Sequence, residues 1–162
     1  MNGYHLAQIN IARFAKPKDD PANADFMNGL DPVNAQAEAA PGFVWRLVGE
    51  GNDAVDLSPD ETDPRLAINM SLWTDVEALG AFVYRNPDHL AFMRRRREWM
   101  EHMKVYQALW WVPAGHIPTL EEGLARIAQL EEHGPTAEAF TFRQPFPAPD
   151  GTPAVPVLDE CA

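Results

Sequence analysis

The order in which the hydrophobic period changes is what most constrains this chain. A period of two marks a strand, and a period near 3.6 marks a helix. Residues Tyr4–Arg13 (YHLAQINIAR) alternate, with Leu6, Gln8 and Asn10 on one face and Ala7, Ile9 and Ile11 on the other. Residues 23–40 carry Phe26, Leu30 and Val33 at helical spacing. Pro32 is expected to break that helix or to open a second piece of it, and Pro41-Gly42 stops it. Residues 43–48 and 65–73 read as the second and third strands, the latter with Ala67, Asn69, Ser71 and Trp73 on one face. Thr74-Asp75-Val76-Glu77 has the form of a capping box with Thr74 as the cap, ahead of an apolar stripe of Val76, Leu79, Phe82 and Val83. Asn86 caps a further helix that Pro87 opens, expected to run to about Met103. Residues 104–113 read as a fourth strand. The order β-α-β-β-α-β is the split βαβ, ferredoxin-like pattern, so the expected fold is α+β, an antiparallel sheet with helices on one face. Thr119 then caps a helix over Leu120–His133, Gly134-Pro135 ends it, and 139–143 reads as a short fifth strand.

The 162 residues are one domain over 1–143 followed by a tail over 144–162, extended because it holds five prolines in about a dozen residues. Residues 49–64 are acidic and rich in turn formers, and are expected to form an exposed, partly mobile loop. Asp and Glu outnumber Lys and Arg by 24 to 13, a net charge of -11. That balance excludes nucleic acid and an anionic membrane surface as partners, since both demand a basic face. No run of apolar residues is long enough to span a membrane, and no basic segment followed by an apolar run opens the chain, so the expected location is cytoplasmic. The single cysteine, Cys161, excludes an internal disulfide framework and a cysteine-rich metal site.

The polar residues on strand faces are the candidates for chemistry. Gln8 and Asn10 share a face of the first strand, and Asn69 shares one with Ser71 and Trp73 on the third. If both faces look toward the helices, amides converge on a pocket with an aromatic wall, as a small-molecule site requires. A developing enolate or phenolate oxygen needs hydrogen-bond donors aimed at it, and Asn, Trp N–H and His supply them. On the helix from Pro87, His89, Phe92, Arg96 and Trp99 fall near one face. His89 can act as a general base, Arg96 can hold a carboxylate or phenolate, and Tyr84 and Trp99 are further pocket candidates. Each has a plainer role available: Asn10 bridging backbone at a sheet edge, Trp73 as core, His89 as a satisfied core or cap residue. Arg94–Arg97 surround a helix axis and are expected to pair with acidic groups of the same protein or a dimer mate. Glu98 and His102 stand at i, i+4, but no second pair completes a metal site, and His5, His116 and His133 lie on other elements, so no metal is expected. Trp110 and Trp111 point to opposite faces, one toward the core or pocket and one toward a dimer interface.

Three stretches carry a family resemblance: the strand L-A-Q-I-N-I-A; the unit S-L-W-T-D-V-E-A-L-G-A-F-V-Y-R-N-P-D-H with R-R-R-R-E-W close behind; and L-W-W-V-P-A-G-H-I-P-T-L-E-E-G-L-A-R-I followed by G-P-T-A-E-A-F-T-F. Together, over residues 4 to about 146, they resemble the uncharacterised bacterial domain-of-unknown-function family 3291. That family belongs to the dimeric α/β-barrel superfamily, with antibiotic-biosynthesis monooxygenases and haem-degrading monooxygenases. The resemblance implies a homodimer of ferredoxin-like protomers sharing a barrel, each with a pocket between sheet and helices. The haem-degrading branch uses a first-strand Asn, a third-strand Trp and a helical His, which correspond here to Asn10, Trp73 and His89. The sequence departs from that branch, because His89 lies beyond the helix break at Asn86-Pro87 and farther from Trp73. The first expectation is therefore a small-molecule-binding, monooxygenase-like enzyme without a cofactor, acting on a hydrophobic or aromatic metabolite through Asn10, Trp73 and His89, with Gln8, Asn69, Tyr84, Arg96 and Trp99 binding the substrate. The alternatives are haem binding or degradation with His89 as axial ligand, and a non-catalytic binding or regulatory dimer with a filled pocket.

Overall fold

A computed structural model of the chain describes residues 3–49, 51 and 53–156. Four strands, β1 (Tyr4–Arg13), β2 (Phe43–Arg46), β3 (Leu66–Trp73) and β4 (Gln107–Pro113), form one antiparallel sheet in the order β2-β3-β1-β4. The alternation seen in β1 places it at the centre, with both of its faces covered. The element order and the sheet are those of the ferredoxin-like α+β unit. On one face lie α1 (Ala24–Ala39), α2 (Val76–Arg85), α3 (Pro87–Arg94) and the single turn α4 (Arg96–Trp99). On the other lies α5 (Leu120–His133), packed over Ile9, Met70 and Trp110.

This second layer corrects the expectation of helices on one face. The helix α5 sits low on the sheet because Gly123 has no side chain; a Cβ there would stand 2.7 Å from Ile9 Cδ1 and 3.0 Å from Met70 Sδ. Trp110 is consequently fully buried beneath α5, with the Arg126 guanidinium 5.9 Å from its ring, and does not face outward from this chain. Trp111 takes the opposite face, where its indole N–H donates to the Phe146 carbonyl at 2.8 Å.

Tertiary contacts moved several boundaries. Pro32 lies inside an unbroken α1; the lost N–H costs about 3 kcal/mol, which the packing of Val33 and Ala37 against the core offsets. Asp75, not Thr74, caps α2: its carboxylate accepts from the Ala78 N–H at 2.8 Å, while the Thr74 N–H is given to the Gly42 carbonyl. Asn86 and Thr119 cap α3 and α5 as expected. The helix from Pro87 does not reach Met103: it breaks at Arg95 and ends at Trp99, because Met100 pairs with Phe14 beyond the end of β1 and the Ala15 N–H takes the Trp99 carbonyl. Glu98 and His102 therefore do not share a helix face, and Glu98 pairs with Arg95 instead. Strand β4 begins at Gln107 and β2 ends at Arg46, each a few residues shorter than its sequence pattern. The fifth strand reduces to isolated bridges: Leu109 with Phe140, through hydrogen bonds of 2.8 and 2.9 Å, and Ala139 with Thr136.

The acidic segment after β2 is not wholly exposed. Ala54 is 7% exposed and packs into the α5-side core, and the Lys18 ammonium donates to the Val55 carbonyl at 3.0 Å. Residues 144–156 form no helix or strand, yet Ala148 is buried in the α2-side core and Asp150 accepts from the Gly3 N–H. Cys161 lies outside the described residues. Among those residues no helix is long and apolar enough to cross a membrane.

Candidate functional site

Antiparallel register lays the side chains of neighbouring strands in rows across the helix-facing side of the sheet. The first row is apolar: Trp111, Leu6, Trp73 and Phe43. The second mixes Leu109 with Gln8, Ser71 and Arg46. The third is three amides, Gln107, Asn10 and Asn69. The floor thus grades from aromatic to amide over two strand steps.

The second row is tied by a buried network. The Ser71 hydroxyl accepts from Gln8 Nε2 and from Trp73 Nε1, each at 2.9 Å, and Gln8 Nε2 also donates to Asn69 Oδ1 at 2.6 Å. Gln8 and Ser71 are 4% and 6% exposed, and polar groups at such depth persist only when partnered. Trp73 is 1% exposed with its N–H committed to Ser71, so its indole acts as a wall with a fixed orientation. The side-chain amides of Asn10 and Gln107 make no hydrogen bond with any described residue.

The helices supply the roof. At one end Phe82 stacks on Trp73 with centroids 5.5 Å apart, and the His89 ring lies 4.8 Å from Phe82. At the other, Phe26, Phe92 and Trp99 pack at 5.1–5.4 Å around Phe14. α1 and α3 approach so closely there that a Cβ on Gly29 would stand 2.5 Å from the Phe92 ring.

His89 is held from two sides. Its backbone N–H joins that of Asp88 in donating to the Asn86 side chain, the cap that starts α3. Its Nδ1 lies 2.9 Å from the Val83 carbonyl, and a carbonyl only accepts, so Nδ1 carries the proton. In the neutral ring Nε2 is then a bare acceptor, and it bonds to no described residue. Burial favours the neutral form and pushes the imidazole pKa below its ordinary value of 6.5, against the opposing pull of the Val83 hydrogen bond, which favours the protonated form.

Of the four consecutive arginines, Arg95 binds Glu98 and Asp25 at 2.6 and 2.9 Å. Arg96 instead lies over the Tyr106 ring, 4.8 Å from its centroid, and forms no ion pair with a described carboxylate. The structure places all eight residues singled out from the sequence, Gln8, Asn10, Asn69, Trp73, Tyr84, His89, Arg96 and Trp99, around one cavity of about 230 Å³. Tyr84 meets Phe142 edge-to-face. The sequence did not point to Tyr106, Gln107, Ala54 or the α1 residues Leu30 and Asn34, which also line it. Only Gln107 carried a usable signal, as the partner of Asn10 once β4 is set in register. Among the described residues no three His, Cys, Asp or Glu side chains gather as metal ligands.

The sequence model of the family described as "Domain of unknown function (DUF3291)" matches residues 5–155. The chain belongs to DUF3291. No curated protein matches it. Among solved structures, this DUF3291 chain is similar to a candidate antibiotic biosynthesis monooxygenase from Nitrosomonas europaea, at 13% identity and a TM-score of 0.50 over 74% of this chain and 98% of the other. It is also similar to SnoaB, described as a cofactor-independent oxygenase, from Streptomyces nogalater, at 17% identity and a TM-score of 0.44 over 70% and 95% of the two chains. At such identities the likeness to the Nitrosomonas protein speaks for the fold: DUF3291 carries the α+β architecture of the antibiotic-biosynthesis-monooxygenase-like proteins.

Proposed function

We propose that this protein binds a small hydrophobic or aromatic metabolite in the cavity and removes a proton from it at His89, as a cofactor-independent, monooxygenase-like enzyme. The observation that carries this is the His89 ring. Its tautomer is set by Val83, and its bare Nε2 stands beside the Phe82–Trp73 stack. An imidazole so held takes a proton from a phenol or enol without first having to reorient. The phenolate formed is electron-rich enough to react with dioxygen: a ring carbon gains one oxygen atom, and the second leaves as water with the phenolic and ring hydrogens. Asn10, in the amide row toward the other end of the cavity, holds the substrate from that side. The fold of the Nitrosomonas neighbour supports the class of reaction. A homodimer working in the cytoplasm completes the proposal; its support is the family resemblance.

An open space of about 230 Å³ argues against the reading of a vestigial pocket filled by Trp73, Trp99 and Phe92. It also tests haem. The cavity falls below the roughly 300–1,000 Å³ of drug-sized sites, and a porphyrin is larger still, so the site is too small for that group.

Oxygen uptake with 1-naphthol as probe tests the proposal. We expect uptake matched by naphthoquinone, reduced about a hundredfold or more by His89→Ala. Failure of 1-naphthol and related phenols to bind, or turnover unchanged in His89→Ala, contradicts it.

A further inference from the structure

The charge of the cavity wall runs opposite to that of the chain. Acids outnumber bases by 24 to 13 overall, yet the wall holds two arginines, Arg46 and Arg96, and one carboxylate, Asp53. Asp53 is held within its own loop, where its side chain accepts from the Val55 N–H at 3.0 Å, and it forms no ion pair with Arg96. Arg46 is committed to Glu38 at 2.7 Å. Arg96 is the cation left over. Its guanidinium is fixed by the Tyr106 ring beneath it, an arrangement that orients the planar fork without occupying its N–H groups.

The amide row stands on the same side of the cavity as Tyr106. The Ile11 N–H donates to the Tyr106 carbonyl, one step beyond the Asn10–Gln107 pair. Asn69 Oδ1 already accepts from Gln8, so what Asn69 has left to offer is its N–H₂. Asn10 and Gln107 add two more amide groups without partners among the described residues. This end is therefore rich in donors, while the other end is aromatic and holds the His89 acceptor. In a chain full of carboxylates, a guanidinium and three amides facing a cavity, with no described carboxylate bound to the guanidinium, call for an anionic acceptor from outside.

We propose that the cavity takes an aromatic carboxylate, its ring body against Trp73, Phe82 and His89 and its carboxylate between Arg96 and the amides of Asn10, Asn69 and Gln107. This rests on the ligand site proposed above and narrows its substrate class. Carboxylate, rather than a phosphate dianion, matches a single planar guanidinium flanked by neutral donors. The volume of about 230 Å³ limits the body to one or two rings.

Calorimetric titration with 2-naphthoate and with its neutral isostere 2-naphthamide tests this at neutral pH. The wild type should bind the acid about ten- to a hundredfold more tightly, the ratio expected of a charge-assisted pair. Arg96→Gln should bring the two affinities together while leaving that for the amide unchanged, and Arg96→Lys should keep part of the preference. Equal binding of acid and amide by the wild type overturns the carboxylate assignment and leaves the ligand site standing. A preference that survives Arg96→Gln overturns the role of Arg96. Binding of neither probe removes the ligand site itself, and this inference with it.

Discussion

The Nδ1 of His89 and the carbonyl of Val83 stand 2.9 Å apart, across the junction of α2 and α3. One contact thus joins two helices, sets a tautomer and leaves a single nitrogen available for chemistry. Burial of the same ring sets a pH dependence. The folded imidazole has a pKa below 6.5, whereas the unfolded one takes its proton near that value. Between the two values the unfolded state binds more protons than the folded state, so stability falls as pH drops below about 6.5. Urea midpoints measured from pH 7.5 to 5 should decline in the wild type and decline less in His89→Gln. Equal slopes for the two proteins would refute the assignment.

Ser71 accepts from two buried donors, and its removal should show that they are coupled. Ser71→Ala leaves the Trp73 N–H and one Gln8 N–H without an acceptor, a loss of about 1–3 kcal/mol. In a Trp73→Phe background one of those donors is already gone, so the same change should cost less. A double-mutant cycle by urea denaturation should return a coupling of about 1 kcal/mol. Strictly additive costs would show that the Ser71–Trp73 bond contributes nothing.

Gly29 occupies the interior of α1, where a helix otherwise gains about 1 kcal/mol from Gly→Ala. Here the added methyl meets the Phe92 ring, which is wedged between Phe26 and Trp99. Gly29→Ala should instead destabilise by about 1–3 kcal/mol. With Phe92→Ala already present, the same substitution should become neutral or stabilising. A stabilising effect in the wild-type background would mean that the two helices are not in close contact.

Residues 144–156 lack regular structure but complete a core. Ending the chain after Arg143 removes the acceptor of the Trp111 N–H and the methyl of Ala148. The shortened protein should lose at least about 2 kcal/mol, read as a lower thermal midpoint. An unchanged midpoint would make this segment a free tail.

The strands and the polar face that lines the cavity were legible for the same reason. In β1 and β3 a strict period of two puts polar Gln8, Asn10, Asn69 and Ser71 on one face, and no choice of register other than a one-residue slip would separate them. What was not legible depends on contacts distant in sequence. Trp99 ends its helix because Met100 finds Phe14, a partner 86 residues earlier. Ala54 turns inward because the sheet face beside α5 has room for it. Thr74 and Asp75 are both good caps, and the Gly42 carbonyl decides between them by taking the Thr74 N–H. That Arg96 pairs with no described carboxylate follows from where Asp25 and Glu98 lie, on the side of the helix that Arg95 faces.

Nitrogen NMR of the labelled His89 ring tests the central claim most directly. Near neutral pH the ring should be neutral, with its proton on Nδ1 and Nε2 bare, and saturating 1-naphthol should shift the Nε2 resonance while Nδ1 stays protonated. A proton on Nε2 in the free protein, or an Nε2 resonance that does not respond to the bound phenol, would contradict the account.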